Sequence, residues 1–421
     1  RLPLPAHIKT MKIWDKRNFV FLLLVVLFFV FGFYIVENKT DFLANFVEEV
    51  QRHPEKLPNH PSVIKAVYVT GWSAGSARYM GYLNELLKTT QINAVVIDIK
   101  DVSGFVFYKT GLEKVRDYGS YRSSILNIDN LIKNLHSRGI YVIARISVFK
   151  DYTLAKARPD LAVYDKTKMP IKSSTLDNVE AQDKSSPVLW QDKNKMYWGD
   201  PASEEVQNYN ISIAKNALER GFDEINFDYI RFPSDGKLKD MGFPFFDSIK
   251  TRRRFVIKDF FKKIRESIPD DKISVDVFGL TTVSKDDMGV GQIFEDSLEY
   301  FDYVSPMLYP SHYATGFIGY ENPAEYPYEV VKYSMDNAIL KRLAYSKLRS
   351  ESVGEKNSST SARGKLAQIR PWLQDFDLGA NYDAGMIRQE IKAVEDSMGK
   401  NFNGFMLWNP LNLYTLEAIN K

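Results

Sequence analysis

From residue 63 onward, hydrophobic and polar positions alternate between two kinds of segment. Short runs of β-branched and aromatic residues are followed by longer stretches in which apolar positions recur every three or four residues. This succession is typical of repeated βα units around a parallel sheet. There are eight such runs: KAVYVTGW (65–72), INAVVIDIKD (92–101), IYVIARISVF (140–149), EINFDYIRF (224–232), KISVDVFGL (272–280), YVSPMLYP (303–310), IRPWLQDF (369–376) and GFMLWNP (404–410).

The segment 203–220 represents the helices between these runs. We expect Asp200 to cap it, Pro201 to occupy its first turn and Gly221 to end it. Four apolar residues share one face of the predicted helix: Val206, Tyr209, Ile213 and Ala217. Eight βα units predict a single (β/α)8 barrel over residues 63–421. The alternative, a doubly wound sheet, requires a glycine-rich phosphate turn after the first strand.

The run 19–36 differs from the rest of the chain because it is apolar throughout and carries no charge. Its length suits a transmembrane helix. Basic residues precede it in the segment 1–18 and acidic residues follow it, which places the N-terminus in the cytoplasm and the barrel outside the cell membrane. The alternative is a signal peptide, but no small-residue cleavage site follows. Residues 37–62, with three prolines, predict a stalk.

Composition narrows the function without identifying it. The net charge of +3 over 421 residues gives no indication of nucleic-acid binding. The absence of cysteine excludes thiol catalysis, disulfides and cysteine-ligated zinc. Residues 1–10 precede Met11 and are interpreted as a fragment or an over-extended gene model, on which no inference rests.

Residues capable of catalysis follow the predicted strands at their carboxyl ends, where barrel enzymes hold their active sites. Alternation places Asn226 and Asp228 on one side of their strand, and Asp276 on the corresponding side of the next strand. Paired carboxylates of this kind are what glycosidic cleavage requires. The candidate catalytic residues are Asp228, Asp276, Asp375 and Asp98. The structural alternative is a set of ion pairs in which Arg145 and Arg231 hold the barrel rim together.

Aromatic residues near the same rim indicate a substrate with flat apolar faces, such as a sugar chain. The candidate substrate-binding residues are Arg231, Trp72, Trp198, Tyr309, Trp372, Trp408, His312 and Asn226. Trp190 lies with Trp198 in the long segment 151–200, which we expect to form a lid or cleft wall. The polar segment 347–366 is expected to be a flexible loop.

Two other kinds of chemistry find less support. The motif GWSAGS (71–76) matches a serine-hydrolase elbow centred on Ser73, but its only histidine candidates are His136 and His312. The five histidines are too scattered for a zinc site. An all-oxygen calcium or magnesium site at Asp98 and Asp101 has no loop motif to support it. No cofactor is predicted.

Seven segments of residues 63–421 together resemble the bacterial glycosyl hydrolase family formerly described as a domain of unknown function: AVYVTGWSAG, VVIDIKD, WGDPASEEV, GFDEINFDYIRFPSDG, SPMLYPSHY, RPWLQDF and GFMLWNP. The resemblance implies an exported or anchored glycosidase barrel whose main catalytic carboxylate is Asp228. A more distant likeness connects Met307, Tyr309 and Trp408 with chitinase-type barrels. Ile230 stands where those enzymes carry their proton-donating glutamate, which argues against their mechanism.

These observations predict a membrane-anchored, extracytoplasmic (β/α)8 glycoside hydrolase that acts on a polysaccharide or oligosaccharide. Asp228 is expected to serve as nucleophile or base and Asp276 as proton donor. The separation of the two carboxylates then decides the outcome, because about 5 Å implies retention and 6.5–9.5 Å implies inversion. A catalytically silent glycan-binding barrel and a serine esterase using Ser73 are the two alternatives.

Overall fold

The computed structural model describes residues 55–168, 187–352 and 365–420. The predicted transmembrane run 19–36 and most of the predicted stalk lie outside these ranges. Within them, no helix is both long enough and apolar enough to cross a membrane.

The main sheet is a parallel barrel that closes on itself, with eight strand positions, as predicted. One position is filled by two short segments, β9 and β10, which both pair with β8. The barrel strands are β1 (Ile64–Val69), β2 (Ala94–Lys100), β3 (Tyr141–Ser147), β5 (Glu224–Asp228), β7 (Lys272–Phe278), β8 (Tyr303–Met307), β9 (Gln368–Ile369), β10 (Trp372–Gln374) and β11 (Gly404–Trp408). A separate antiparallel pair joins β4 (Tyr164–Asp165) to β6 (Met241–Gly242).

Helices fill the connections between the strands. The α-helices of the described ranges are α1 (Gly71–Ala74), α2 (Ala77–Thr89), α3 (Glu113–Asp117), α4 (Ile128–His136), α5 (Tyr152–Ala157), α6 (Glu204–Glu219), α7 (Arg253–Ser267), α8 (Phe294–Ser297), α9 (Pro327–Ser352), α10 (Ala384–Met398) and α11 (Leu416–Ile419). Helix α6 buries the predicted apolar face and is followed by Gly221 in a left-handed conformation, as expected.

Two local predictions about the connections are wrong. The cap of α6 is Ser203, whose hydroxyl accepts a hydrogen bond from the Val206 N–H, whereas Asp200 accepts from Ala202, Phe245 and Phe246 in the loop. Residues 347–352 belong to the last turns of α9 and not to a loop. The segment 353–364 lies outside the described residues, as does 169–186 of the expected lid.

Side chains of the barrel strands divide between two apolar layers. Along β1, Val67 and Val69 pack outward among the helices, while Ile64, Ala66 and Tyr68 pack inside the barrel. The strands are therefore buried on both faces, which explains the nearly continuous apolar composition of runs such as that of β2. Polar residues of β5 and β7 interrupt the inner layer, and this interruption positions the candidate site.

Candidate active site

Arg145, on β3, connects three carboxylates at the carboxyl end of the barrel. Its Nη1 lies 2.6 Å from Oδ1 of Asp98, and its Nε lies 3.5 Å from Oδ2 of Asp276. Its Nη2 forms an ion pair with Asp228. Burial alone would lower the pKa of Arg145, but the charges of Asp98 and Asp228 outweigh it and raise that pKa. The guanidinium therefore stays charged and holds the three carboxylates around one point.

Asp98 is held on both of its oxygens. Oδ1 accepts from Arg145, and Oδ2 accepts a hydrogen bond of 2.5 Å from the Tyr68 hydroxyl. Burial raises the pKa of Asp98 to about 6, against the opposing influence of Arg145 and Tyr68. Asp98 does not line the cavity described below. Asp98 is therefore placed to pair with Arg145 and not to contact a substrate.

Asp276, on β7, has one oxygen fixed by hydrogen bonds. Oδ1 accepts from the Asn226 amide at 2.8 Å and from the Trp372 indole N–H at 2.7 Å. Burial and the nearby charge of Asp228 raise the pKa of Asp276 to about 7. Because Oδ1 already accepts two hydrogen bonds, Oδ2 is the oxygen that can carry a proton, and the Arg145 charge 3.5 Å away only partly opposes the rise in pKa. Asp276 can therefore hold a proton near neutral pH, as a general acid must.

Asp228 ends β5 beside an unusual backbone conformation. Tyr229, the next residue, adopts φ +54, which is uncommon for a bulky side chain. In this conformation the Tyr229 N–H donates to Oδ1 of Asp228 at 2.5 Å. Oδ2 of Asp228 meets Arg145. Local strain of this kind is concentrated at functional sites.

A cavity of about 330 Å³ opens beside the carboxylates. Asp228, Asp276 and Arg145 line it, together with the predicted substrate-binding residues Arg231, Tyr309, His312, Trp372 and Trp408. The rings of Tyr309 and Trp408 stack with centroids 5.3 Å apart, and the His312 ring lies 5.3 Å from Tyr309. Burial lowers the pKa of His312 and raises that of Tyr309, so both side chains are neutral at pH 7. The wall thus combines aromatic surface with two carboxylates.

Arg231 does not pair with Asp228, in contrast to the structural alternative considered from the sequence. Its guanidinium lies over the rings of Phe278, Tyr229 and Trp198, at 4.5, 5.0 and 5.0 Å. Within the described residues no ion pair joins it to a carboxylate. The partner of Asp228 is Arg145 instead.

Several predicted site residues lie away from the cavity. The Asp375 carboxylate accepts hydrogen bonds from the backbone and hydroxyl of Thr415, so the geometry does not support a catalytic role. Trp198 is buried and donates to Asp192, and its ring packs against the Arg231 guanidinium. It therefore offers no exposed ring face to a substrate. Trp190 is likewise buried and donates to the Lys237 carbonyl.

Trp72 and Asn226 take different positions from those expected. Trp72 is 52% exposed, and its ring packs edge-on against Phe107 outside the cavity lining. Asn226 is fully buried beneath the cavity, where its amide donates to Ser274 and Asp276. Asn226 therefore positions a carboxylate and is not placed to meet a substrate.

Ser73 lacks the partners of a serine hydrolase. Its hydroxyl accepts a hydrogen bond from Thr70 at the start of α1. His136 bonds to Asp223 at the opposite end of the barrel, and His312 lies in the cavity beside Ser311. This arrangement does not form the triad that the elbow motif would require. Among the described residues, no group of three or more His, Cys, Asp or Glu side chains has an arrangement that could hold a metal ion.

The sequence identified Arg145 only as an ion-pair partner and missed its central position. The available signal was a cation within the otherwise apolar run YVIARIS, flanked in register by Asp98 on β2 and Asn226 on β5. Three aromatic residues of the cavity wall, Tyr229, Phe278 and Tyr313, were also missed. No spacing rule separates them from ordinary core aromatics.

The sequence profile of the putative glycosyl hydrolase domain family matches residues 66–414. The chain belongs to this family. The matched range contains all the barrel strands except the first two residues of β1. No curated protein matches the chain.

Solved structures similar to the chain include glycoside hydrolase barrels. The PgaB (BpsB) glycoside hydrolase domain from Bordetella bronchiseptica is 13% identical, with a TM-score of 0.50, covering 82% of this chain and 94% of that one. A hypothetical protein from Ruminiclostridium thermocellum is 35% identical, with a TM-score of 0.42 and coverages of 50% and 97%. The α-galactosidase TtGalA from Thermus thermophilus is 13% identical, with a TM-score of 0.44 and coverages of 86% and 61%. The PgaB likeness supports the fold alone.

Proposed function

We propose that this protein is a membrane-anchored, extracytoplasmic glycoside hydrolase that cleaves a polysaccharide with Asp228 and Asp276. The observation that carries the proposal is the placement of both carboxylates on one cavity, where Arg145 contacts each of them. Membership of the putative glycosyl hydrolase domain family supports the same reaction class.

The two carboxylates have different surroundings, which suits different roles. Burial and the charge of Asp228 raise the pKa of Asp276 to about 7, so Asp276 can donate a proton to the leaving oxygen. Asp228 is then the nucleophile or the base that activates water. Pairs of titratable groups with contrasting environments are the usual basis of such a division.

The cavity wall suits a sugar ring. The stacked Tyr309 and Trp408 rings offer an apolar surface to the C–H face of a pyranose, and the nearby carboxylates can bind its hydroxyls. Trp372, whose indole N–H donates to Asp276, also lines this cavity. Polar groups would thus fix the orientation of a substrate that aromatic contacts hold.

Release of reducing sugars from a panel of bacterial polysaccharides tests the hydrolase proposal. We expect turnover by the full-length protein purified in detergent, and loss of about 10³-fold or more in Asp228→Asn and Asp276→Asn. Asp375→Asn is the matched control, because Asp375 is also a buried strand-end carboxylate but bonds to Thr415 outside the cavity. Normal glycan binding without turnover would support the silent glycan-binding barrel instead.

The location of the protein rests on the sequence of the apolar run 19–36 and its flanking charges. Because the chain has no cysteine, single cysteines can report on topology directly. In intact cells, a membrane-impermeant maleimide should label Leu126→Cys, at a side chain that is 87% exposed, but not Lys12→Cys. Labelling of both positions, or of neither until the cells are lysed, would contradict an extracytoplasmic barrel.

A further inference from the structure

Arg231 is a buried cation on the wall of the candidate active site. It follows β5 by three residues and is only 7% exposed. Three aromatic rings surround its guanidinium, those of Phe278, Tyr229 and Trp198, with centroids 4.5 to 5.0 Å away. These rings fix the side chain against the cavity, which it lines.

The polar contacts of Arg231 use only one of its nitrogens. Nη1 donates to the Ser234 hydroxyl at 3.0 Å and to the Phe232 carbonyl at 3.3 Å. In the described part of the chain, Nε and Nη2 donate to no protein group. An arginine presents five N–H donors, so an edge of two parallel donors remains available.

Among the described residues, no carboxylate lies within ion-pair distance of Arg231, although the charges of Asp228, Asp235 and Asp192 act on it from farther away. Arg145, in contrast, has three ion-pair partners. Burying a cation without an ion-pair partner costs free energy, and burial lowers the pKa of Arg231 by more than the nearby carboxylate charges raise it. Cation–π contacts offset only part of such a cost. A site that retains this cost on the wall of a binding cavity is suited to an anion that arrives with the ligand.

Arg231 also differs from the other basic groups near the cavity. Arg145 already forms ion pairs with three carboxylates. Burial lowers the pKa of His312, so that its ring is neutral at pH 7. Lys150, which lies over Trp198 and Tyr229, is paired with Asp192 at 2.8 Å. Among the basic groups that the structure describes near the cavity, Arg231 is therefore the cation with which a negatively charged group can pair.

We propose that Arg231 binds the carboxylate of a uronic acid unit, so that the substrate is an acidic polysaccharide. The free Nε–Nη2 edge of a guanidinium matches the two oxygens of a planar carboxylate in a bidentate hydrogen-bonded pair. The pairing would also place the charged sugar in the cavity that the stacked Tyr309 and Trp408 rings line. The inference rests on the proposed glycoside hydrolase function and names its substrate class.

Binding to matched pairs of oligosaccharides tests the inference. Oligomers of glucuronate, galacturonate, mannuronate and guluronate are each compared with the same oligomer after chemical reduction of its carboxyl groups to neutral alcohols. Titration calorimetry on the full-length Asp228→Asn protein measures affinity without turnover. We expect at least one acidic oligomer to bind about tenfold or more tightly than its reduced form. Equal binding of every pair would overturn the proposal.

Two variants assign the preference to Arg231. Arg231→Gln should abolish the preference for the acidic oligomer and leave the affinity for its reduced form within about twofold. Arg253→Gln is the matched control, because Arg253 also stacks on aromatic rings, including Phe232 at 5.1 Å, but does not line the cavity. The control should keep the preference. If Arg231→Gln does not fold, Arg231→Lys retains the charge without the planar edge, and an undiminished preference in that variant would contradict bidentate binding.

A further binding experiment distinguishes recognition of a carboxylate from recognition of another anion. Sulfated derivatives of the reduced oligomers should bind less tightly than the uronates, and tighter binding of the sulfated forms would refute the carboxylate assignment. Turnover assays keep the two proposals apart. Arg231-dependent binding of a uronate without hydrolysis by the wild type would remove the hydrolase function and retain the carboxylate site. Hydrolysis of neutral polymers alone, at a rate unchanged in Arg231→Gln, would retain the hydrolase function and remove the carboxylate site.

Discussion

At the scale of single residues, the proposed reaction depends on the proton of Asp276. Burial and the charge of Asp228 raise its pKa to about 7, so its acid form persists to neutral pH and is lost above it. We therefore predict that kcat/KM falls about tenfold per pH unit above pH 7, because the proton donor is then ionised. The pH profile of reducing-sugar release measures this decline, the basic limb of the profile. Asp375→Asn, outside the cavity, should keep it, and a flat profile up to pH 9 in the wild type would exclude Asp276 as the acid.

At the scale of elements, the pairing of β5 with β7 holds Asp276 in place through Asn226. This hydrogen bond lowers the pKa of Asp276, partly opposing the effect of burial. Replacing Asn226 by alanine should therefore move the basic limb of the pH profile to higher pH, as well as reduce kcat. Asn210→Ala is the control, because Asn210 is equally buried but lies on α6 and bonds to the Val206 and Val148 carbonyls. A limb that stays in place in Asn226→Ala would leave Asn226 with a packing role only.

At this scale the sequence predicts the barrel strands and their inward-facing residues, but not the direction of side chains in the loops. Every barrel strand overlaps a predicted run, because β-branched residues buried on both faces leave a strong local pattern. Alternation also places Asn226, Asp228 and Asp276 on the inner side, since each lies within or at the end of a regular strand. Asp375 and Trp198 follow no such rule. They lie beyond strand ends, where loop contacts with Thr415 and Asp192 decide the direction of the side chain.

At the scale of the whole molecule, the segment before β1 closes the end of the barrel opposite the cavity. Leu57 packs with the inner layer of the barrel, and its N–H donates to Asp223, which immediately precedes β5. Lys56 pairs with Asp271, immediately before β7. Asp223 in turn accepts from Val142 and contacts His136. Lys56 and Leu57, at the end of the segment predicted to be a stalk, thus pack and bond against the barrel.

This closure predicts that Leu57 contributes to the stability of the barrel although it lies outside the strands. Leu57→Ala should lower the free energy of unfolding by about 2–5 kcal/mol, because it removes buried methyl groups from a site that cannot fully collapse. Urea denaturation followed by tryptophan fluorescence measures the change, since the cavity tryptophans Trp372 and Trp408 report on the barrel. Leu126→Ala, at a leucine that is 87% exposed, should change it by less than about 0.5 kcal/mol. Equal effects of the two substitutions would mean that the segment before β1 does not stabilise the barrel. A shorter chain beginning at residue 62 would then be expected to fold with unchanged stability.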